Sequence, residues 1–164
     1  MKQQIIISGM GGQGVLFLTR IIAGAAMEMG LEVMTSETHG MAQRGGSVIS
    51  FVKAGSFRSP LIRQGQGDVG LFLHSQNLEV HQNLLKPDAD IFVNTADSSP
   101  YPHIDATGLA TESGSPVLAN LILLGFAVKN GLFCQEDAVK KAINSLSRQQ
   151  FIAANLAALA RSFK

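Results

Sequence analysis

Two short stretches of this chain carry residue types that can meet a charged or polar ligand. The first, Ser8-Gly9-Met10-Gly11-Gly12-Gln13-Gly14, sets Gly9, Gly11 and Gly14 at the spacing G-x-G-x-x-G. Glycines so placed permit a tight turn, let backbone approach a ligand, and leave the N–H groups of a following helix facing an anion. The second stretch, Glu37 to Gly46, sets the imidazole of His39, the amide of Gln43 and the guanidinium of Arg44 among Gly40, Gly45 and Gly46. A loop of that kind at a strand end can wrap an anionic or polar group, because ligands of open α/β sheets sit beyond the carboxyl ends of strands. The candidate contacts are therefore Gly9, Gly11, Gly12, Gln13 and Gly14 in the turn, with His39, Gln43, Arg44, Gly45 and Gly46 in the loop. Each stretch also has a plainer reading. The turn can be glycine-rich for close strand–helix packing, and the loop can be a surface turn with a solvated arginine.

The glycine spacing invites a dinucleotide, but that reading needs an acid at the end of the second strand, about 20 residues on. Only Glu37 could serve, and it opens the second glycine loop. No Lys-Ser or Lys-Thr follows the glycines, so the turn is not a triphosphate-binding loop.

The elements that position these loops follow from hydrophobic patterning. Gln3 to Ser8, with Ile5-Ile6-Ile7, reads as a strand buried on both faces. Val15 to Met29 reads as a mostly apolar helix stopped by Gly30, and Leu31 to Thr35 as a second strand, which suits a right-handed parallel crossover. Ser47 to Lys53 predicts a third strand, Pro60 to Ile62 a short edge strand, Val69 to Leu73 a fourth and Ala89 to Asn94 a fifth. His74 to Leu85 predicts a helix closed by Pro87, and His103 to Thr107 a last short strand. The remainder reads as helices over Val117 to Lys129, from Gln135 to Leu146, and from Ile152 to the end. The expectation is an α/β fold: a three-layer α/β/α Rossmann-like domain with a mostly parallel sheet and a C-terminal helical tail, one domain over residues 1–164.

Composition narrows the function. Charged residues make up 15% of the chain, below the roughly 25% of ordinary soluble domains. Part of the surface is thus a candidate for burial against another chain. A net charge of +1 argues against nucleic acid, whose phosphates demand clustered Lys and Arg. One asymmetry remains: Arg44, Lys53, Arg58 and Arg63 fall between Thr38 and Gly67, where there is no acid. That is either a mildly basic surface or a face toward an anionic ligand or acidic partner. One cysteine, Cys134, excludes an internal disulfide framework and cannot hold an iron–sulfur cluster with this chain's own thiolates. No signal peptide is visible and Val15 to Met29 is too short and polar to cross a bilayer, so the expectation is cytoplasmic, without membrane contact.

The remaining polar residues make poor catalysts. His74 and His81 read as packing or surface groups, His103 as a loop residue, and Asp105 and Glu112 are spaced too loosely for a carboxylate pair. Cys134 reads as a small buried apolar residue, and Asn120 and Asn155 as hydrogen-bonding backbone or a partner chain. No catalytic residue and no metal ligand is assigned.

Gly9-Met10-Gly11-Gly12-Gln13-Gly14-Val15, followed by Glu37-Thr38-His39-Gly40-Met41-Ala42-Gln43-Arg44-Gly45-Gly46-Ser47-Val48, resembles the gamma component of 2-oxoacid:ferredoxin (acceptor) oxidoreductases. The second loop is most similar to the small subunit of indolepyruvate oxidoreductase and its keto acid relatives. The resemblance continues through Ile104 to Thr107, Gly114 to Pro116, Asn120 to Gly125 and Asn155. It implies a non-autonomous subunit of a complex that oxidatively decarboxylates a 2-oxoacid on thiamine diphosphate with magnesium. Electrons would pass through iron–sulfur clusters to ferredoxin, and an acyl-CoA would be released from CoA. It further implies that thiamine-binding and ferredoxin-like companion chains carry most of those groups, leaving this chain to assemble and to line a cleft. The chain shows no thiamine-binding acidic motif of its own. A stand-alone dinucleotide-binding oxidoreductase and a purely structural assembly module remain the alternatives, and a homodimer of the isolated chain stays open.

Overall fold

The computed structural model describes residues 1–38 and 46–163. Six strands form one sheet in the order β2-β3-β1-β4-β5-β6. They are β1 (Gln3–Met10), β2 (Val33–Glu37), β3 (Ser47–Ala54), β4 (Gly67–Phe72), β5 (Leu85–Asn94) and β6 (His103–Ile104). β1 pairs in parallel with β4, β4 with β5 and β5 with β6, while β3 runs antiparallel to both β1 and β2. Five strands therefore point one way and β3 alone opposes them, which makes the sheet mostly parallel as expected. The expected crossover from β1 to β2 also holds in direction. Its two strands are not neighbours, however, because β3 occupies the slot between them.

The β-branched run explains why β1 is central. Ile5 and Ile7 face one side and Ile6 the other, and all three are fully buried. Burying each such side chain contributes about 1.5–3 kcal/mol. The Ile5 side is covered by α1 (Val15–Glu28), α3 (Ala106–Glu112) and α4 (Ala119–Lys129). Helices α5 (Glu136–Leu146) and α6 (Ile152–Arg161) lie outside these, α5 on α1 and α6 on α4. The Ile6 side is covered by α2 (Ser75–His81) and by Ile62 from the segment after β3. This is the three-layer arrangement, with the C-terminal helices as an outer tier. Helix α4 is apolar all round because it is enclosed: Ala119 through Gly125 are all buried.

Four local expectations are corrected. Pro60 to Ile62 is not a strand; Ile62 is buried beneath the Ile6 face without joining a ladder. The α-helix of His74 to Leu85 stops at His81 and continues as a 3₁₀ turn, Gln82–Leu84. Pro87 does not close it but lies inside β5, where pairing jumps from Gly67↔Leu85 to Val69↔Asp90, so its missing N–H falls in an irregular stretch. The last strand keeps only His103 and Ile104, since Asp105 caps α3 by accepting a hydrogen bond from the Gly108 backbone N–H at 2.8 Å.

Candidate functional site

β1 and β4 are parallel neighbours whose following helices, α1 and α2, cover opposite faces of the sheet. The gap beyond their carboxyl ends is therefore the switch point at which open α/β sheets place ligands. In this chain Gln13 bridges it. Its Oε1 accepts from the Met10 backbone N–H at 2.7 Å, and its Nε2 donates to the Leu73 carbonyl at 2.9 Å. The Gln13 side chain thereby staples the glycine turn to the end of β4.

The glycines divide by what surrounds them. A Cβ on Gly9 would meet Gln13 Oε1 and Leu73 Cβ, each at 2.9 Å, so this position answers to strand–helix packing. Gly14 is the N-cap of α1, with φ 78°, and a Cβ there would lie 2.5 Å from Asn120 Nδ2. Gly12, with φ 95°, has open space where its Cβ would stand. Of these three, Gly12 alone is bare toward solvent rather than toward protein. Asn120 was read as a partner for backbone or for another chain, and backbone is the answer: its Nδ2 donates to the Gly14 carbonyl at 3.2 Å.

The second loop is joined to the first. The Gly11 backbone N–H donates to the Gly46 carbonyl at 2.7 Å, and Thr38 extends the β2 ladder by donating to Ile49 at 3.2 Å. Gly11, Gly12, Phe17, Thr38, Val48 and Val117 surround a cleft of about 450 Å³ beside the turn. Its walls are mainly apolar, with the first N–H groups of α1 and the exposed backbone of Gly12 as polar points. His39, Gln43, Arg44 and Gly45 lie outside the described residues, so the two loops are placed together by Gly46, Thr38 and Ser47 at the loop's ends.

A buried polar knot beneath this junction was not read from the sequence. Asn77 Nδ2 reaches Ser8 Oγ and the Gly9 carbonyl at 2.9 Å each and Ser47 Oγ at 2.8 Å. Ser8 Oγ also lies 2.8 Å from His81 Nδ1. α2 thereby fastens the start of the glycine turn and the start of β3 at one point. Ser8 is fully buried and cannot meet a substrate, and burial lowers the His81 pKa. The pair is a structural tie, not a nucleophile with its base. His74 caps α2 by accepting from the Gln76 N–H at 3.2 Å. Asn155 donates to Ser147 Oγ at 3.0 Å, and Cys134 is buried with its thiol pushed up to about 12.

This geometry bears on the cofactors the resemblance implies. In a dinucleotide fold the acid-bearing strand adjoins β1, whereas Glu37 ends a strand two spacings, about 10 Å, away across β3. Among the described residues no three His, Cys, Asp or Glu converge to hold a metal. No helix among the described residues is long and apolar enough to cross a membrane.

Comparison with known proteins identifies the family. The family model described as pyruvate ferredoxin/flavodoxin oxidoreductase matches residues 4–164. The indolepyruvate oxidoreductase subunit IorB of Archaeoglobus fulgidus is 32% identical, over 88% of this chain and 88% of its own length. The pyruvate synthase subunit PorC of Methanothermobacter marburgensis is 30% identical, over 84% of this chain and 82% of its own. Among solved structures, a keto/oxoacid ferredoxin oxidoreductase gamma subunit from Geobacter sulfurreducens superposes with a TM-score of 0.80 at 25% identity. It covers 98% of this chain and 96% of that one. The chain belongs to the pyruvate ferredoxin/flavodoxin oxidoreductase family.

Proposed function

We propose that this chain is the gamma subunit of a thiamine diphosphate-dependent 2-oxoacid:ferredoxin oxidoreductase, a single gamma-type domain over residues 1–164. The complex oxidatively decarboxylates a 2-oxoacid, transfers the acyl group to CoA and reduces ferredoxin. Companion thiamine-binding and ferredoxin-like chains supply thiamine diphosphate, magnesium and the cluster thiolates, since this chain has one cysteine. The observation that carries the reading is the 2.7 Å bond from the Gly11 N–H to the Gly46 carbonyl, which makes two separate glycine segments one surface. That surface forms a wall of the shared active-site cleft. The Gly12 backbone and the α1 N-terminus offer N–H groups to a polar or anionic ligand, and Arg44 offers its guanidinium. The cytoplasm is the compartment that suits ferredoxin as acceptor.

The test is Arg44→Ala in the reconstituted complex. Turnover should fall at least tenfold while the subunits still co-purify. Unchanged turnover with intact assembly would favour a purely structural module and count against the cleft-wall role.

A further inference from the structure

At the far end of β1 from the glycine turn, roughly 20 Å of strand away, lies a second cavity of about 670 Å³. Its floor is Lys53 of β3 and Gln4 of β1, which face each other across the ladder. Its rim is the segment after β3, with Phe57, Arg58 and Arg63. The 7% exposure of Lys53 means that its aliphatic stem is packed away, while its ammonium opens into the cavity. Among the described residues that ammonium has no hydrogen bond or ion pair. It sits 5.1 Å from the centre of the Phe57 ring, which it shares with Lys2 at 5.2 Å. Burial, and then the Arg63 charge, lower the Lys53 pKa. No acid occurs between Thr38 and Gly67. Asp68, the first after that stretch, is already engaged by the Gln4 backbone N–H and by Lys86.

Three cations around one cavity, without a carboxylate among them, repel one another unless an anion enters. A recessed ammonium below two arginines suits a compact multivalent anion, because guanidinium forks bind phosphate oxygens in pairs and an ammonium adds a point charge. An acidic protein surface arriving at the rim would meet the arginines but not the floor. The volume lies within the range of small-molecule sites. We infer that this cavity is an anion site for a small molecule bearing a phosphoryl or pyrophosphoryl group, with Lys53, Arg58 and Arg63 as its donors. It is separate from the cleft at the glycine turn and does not depend on the role proposed for that cleft.

The experiment is residue-specific acylation of Lys53 at pH 8, read by mass spectrometry. It uses the protein in the complex in which it is purified, saturated with thiamine diphosphate and magnesium. Inorganic pyrophosphate should slow Lys53 acylation at least fivefold and saturably, leaving exposed Lys129 unchanged; potassium chloride of equal ionic strength should not. Arg63→Gln, an exposed change that leaves the fold intact, should raise the half-protecting concentration about tenfold. ADP as a second probe distinguishes the sources: tighter protection by ADP assigns a nucleotide, equal protection a free phosphate anion. Equal protection by chloride, an unaltered Lys53 rate, or an affinity indifferent to Arg63→Gln would overturn the inference. A Lys53 that is unreactive even without pyrophosphate would overturn it too, because a companion chain would then cover the cavity.

Discussion

Gly12 and Gly14 share a left-handed backbone, yet they should respond differently to the same methyl group. Gly12→Ala adds a Cβ to open space, so its cost is the left-handed backbone alone, about 1 kcal/mol. Gly14→Ala adds that cost to a 2.5 Å collision with Asn120 Nδ2, and about 3 kcal/mol is expected once overpacking is included. Urea unfolding of the two variants checks the difference, and equal losses would contradict the assignment of Gly14 to packing. Cys134 gives a pH dependence at the same scale. Burial holds its thiol protonated up to about 12 against an ordinary 9.0, so between those values only the unfolded chain releases the proton. Stability should therefore fall as pH rises through that window, by about 1.4 kcal/mol per pH unit for this group, with no effect below pH 8. Subtracting the profile of Cys134→Ala isolates it, and parallel profiles would refute the burial. The same residue was legible beforehand as a small buried apolar group. Gln13 was not: an amide can face a ligand or bridge backbone, and only the position of Leu73 decides.

Among the elements, α2 is short but holds the junction of both loops through Asn77. Asn77→Ala would leave the Ser8 hydroxyl and the Gly9 carbonyl short of a buried donor, at a cost of about 2 kcal/mol. Amide exchange at Gly11 should quicken, since its Gly46 acceptor lies one residue before Ser47, an Asn77 partner. Ser113→Ala, on the exposed end of α3, should stay within about 0.5 kcal/mol. If both variants behave alike, α2 is not the clamp described. The long apolar elements β1, α1 and α4 were readable because burial on several sides leaves a nearly continuous hydrophobic run. α3 was missed although Asp105 three residues before Gly108 is a cap spacing, because β-like residues precede it and its seven residues carry a weak stripe. Pro60 to Ile62 misled for the opposite reason: three residues apt for an edge strand are used to bury Ile62.

For the whole molecule, the position of β3 weighs against the dinucleotide reading of the glycine turn. An NAD ribose held at the glycine turn would find its acid a full strand too far away at Glu37, so titration with NADH should give no saturable binding in the micromolar range. Micromolar binding would reverse that conclusion. The sequence carried the direction of β1 and β2 correctly but not their separation, because patterning reports which faces are buried and is blind to which strand fills a gap. The candidate site was proposed from two motifs; their union through Gly11 and Gly46 was not legible, since a backbone-to-backbone bond leaves no mark on residue type.

That same strand order governs when the site comes into being. Both neighbours of β1 come later in the chain, β3 from residues 47–54 and β4 from residues 67–72. Gln13 has no Leu73 carbonyl to hold until the second of these has emerged. Residues 1–46 therefore hold every residue of both glycine segments but lack the strands and the Leu73 carbonyl that hold the first of them in place. The cleft beside the turn therefore depends on segments far from it in sequence, and its formation reports that the sheet has closed around β1.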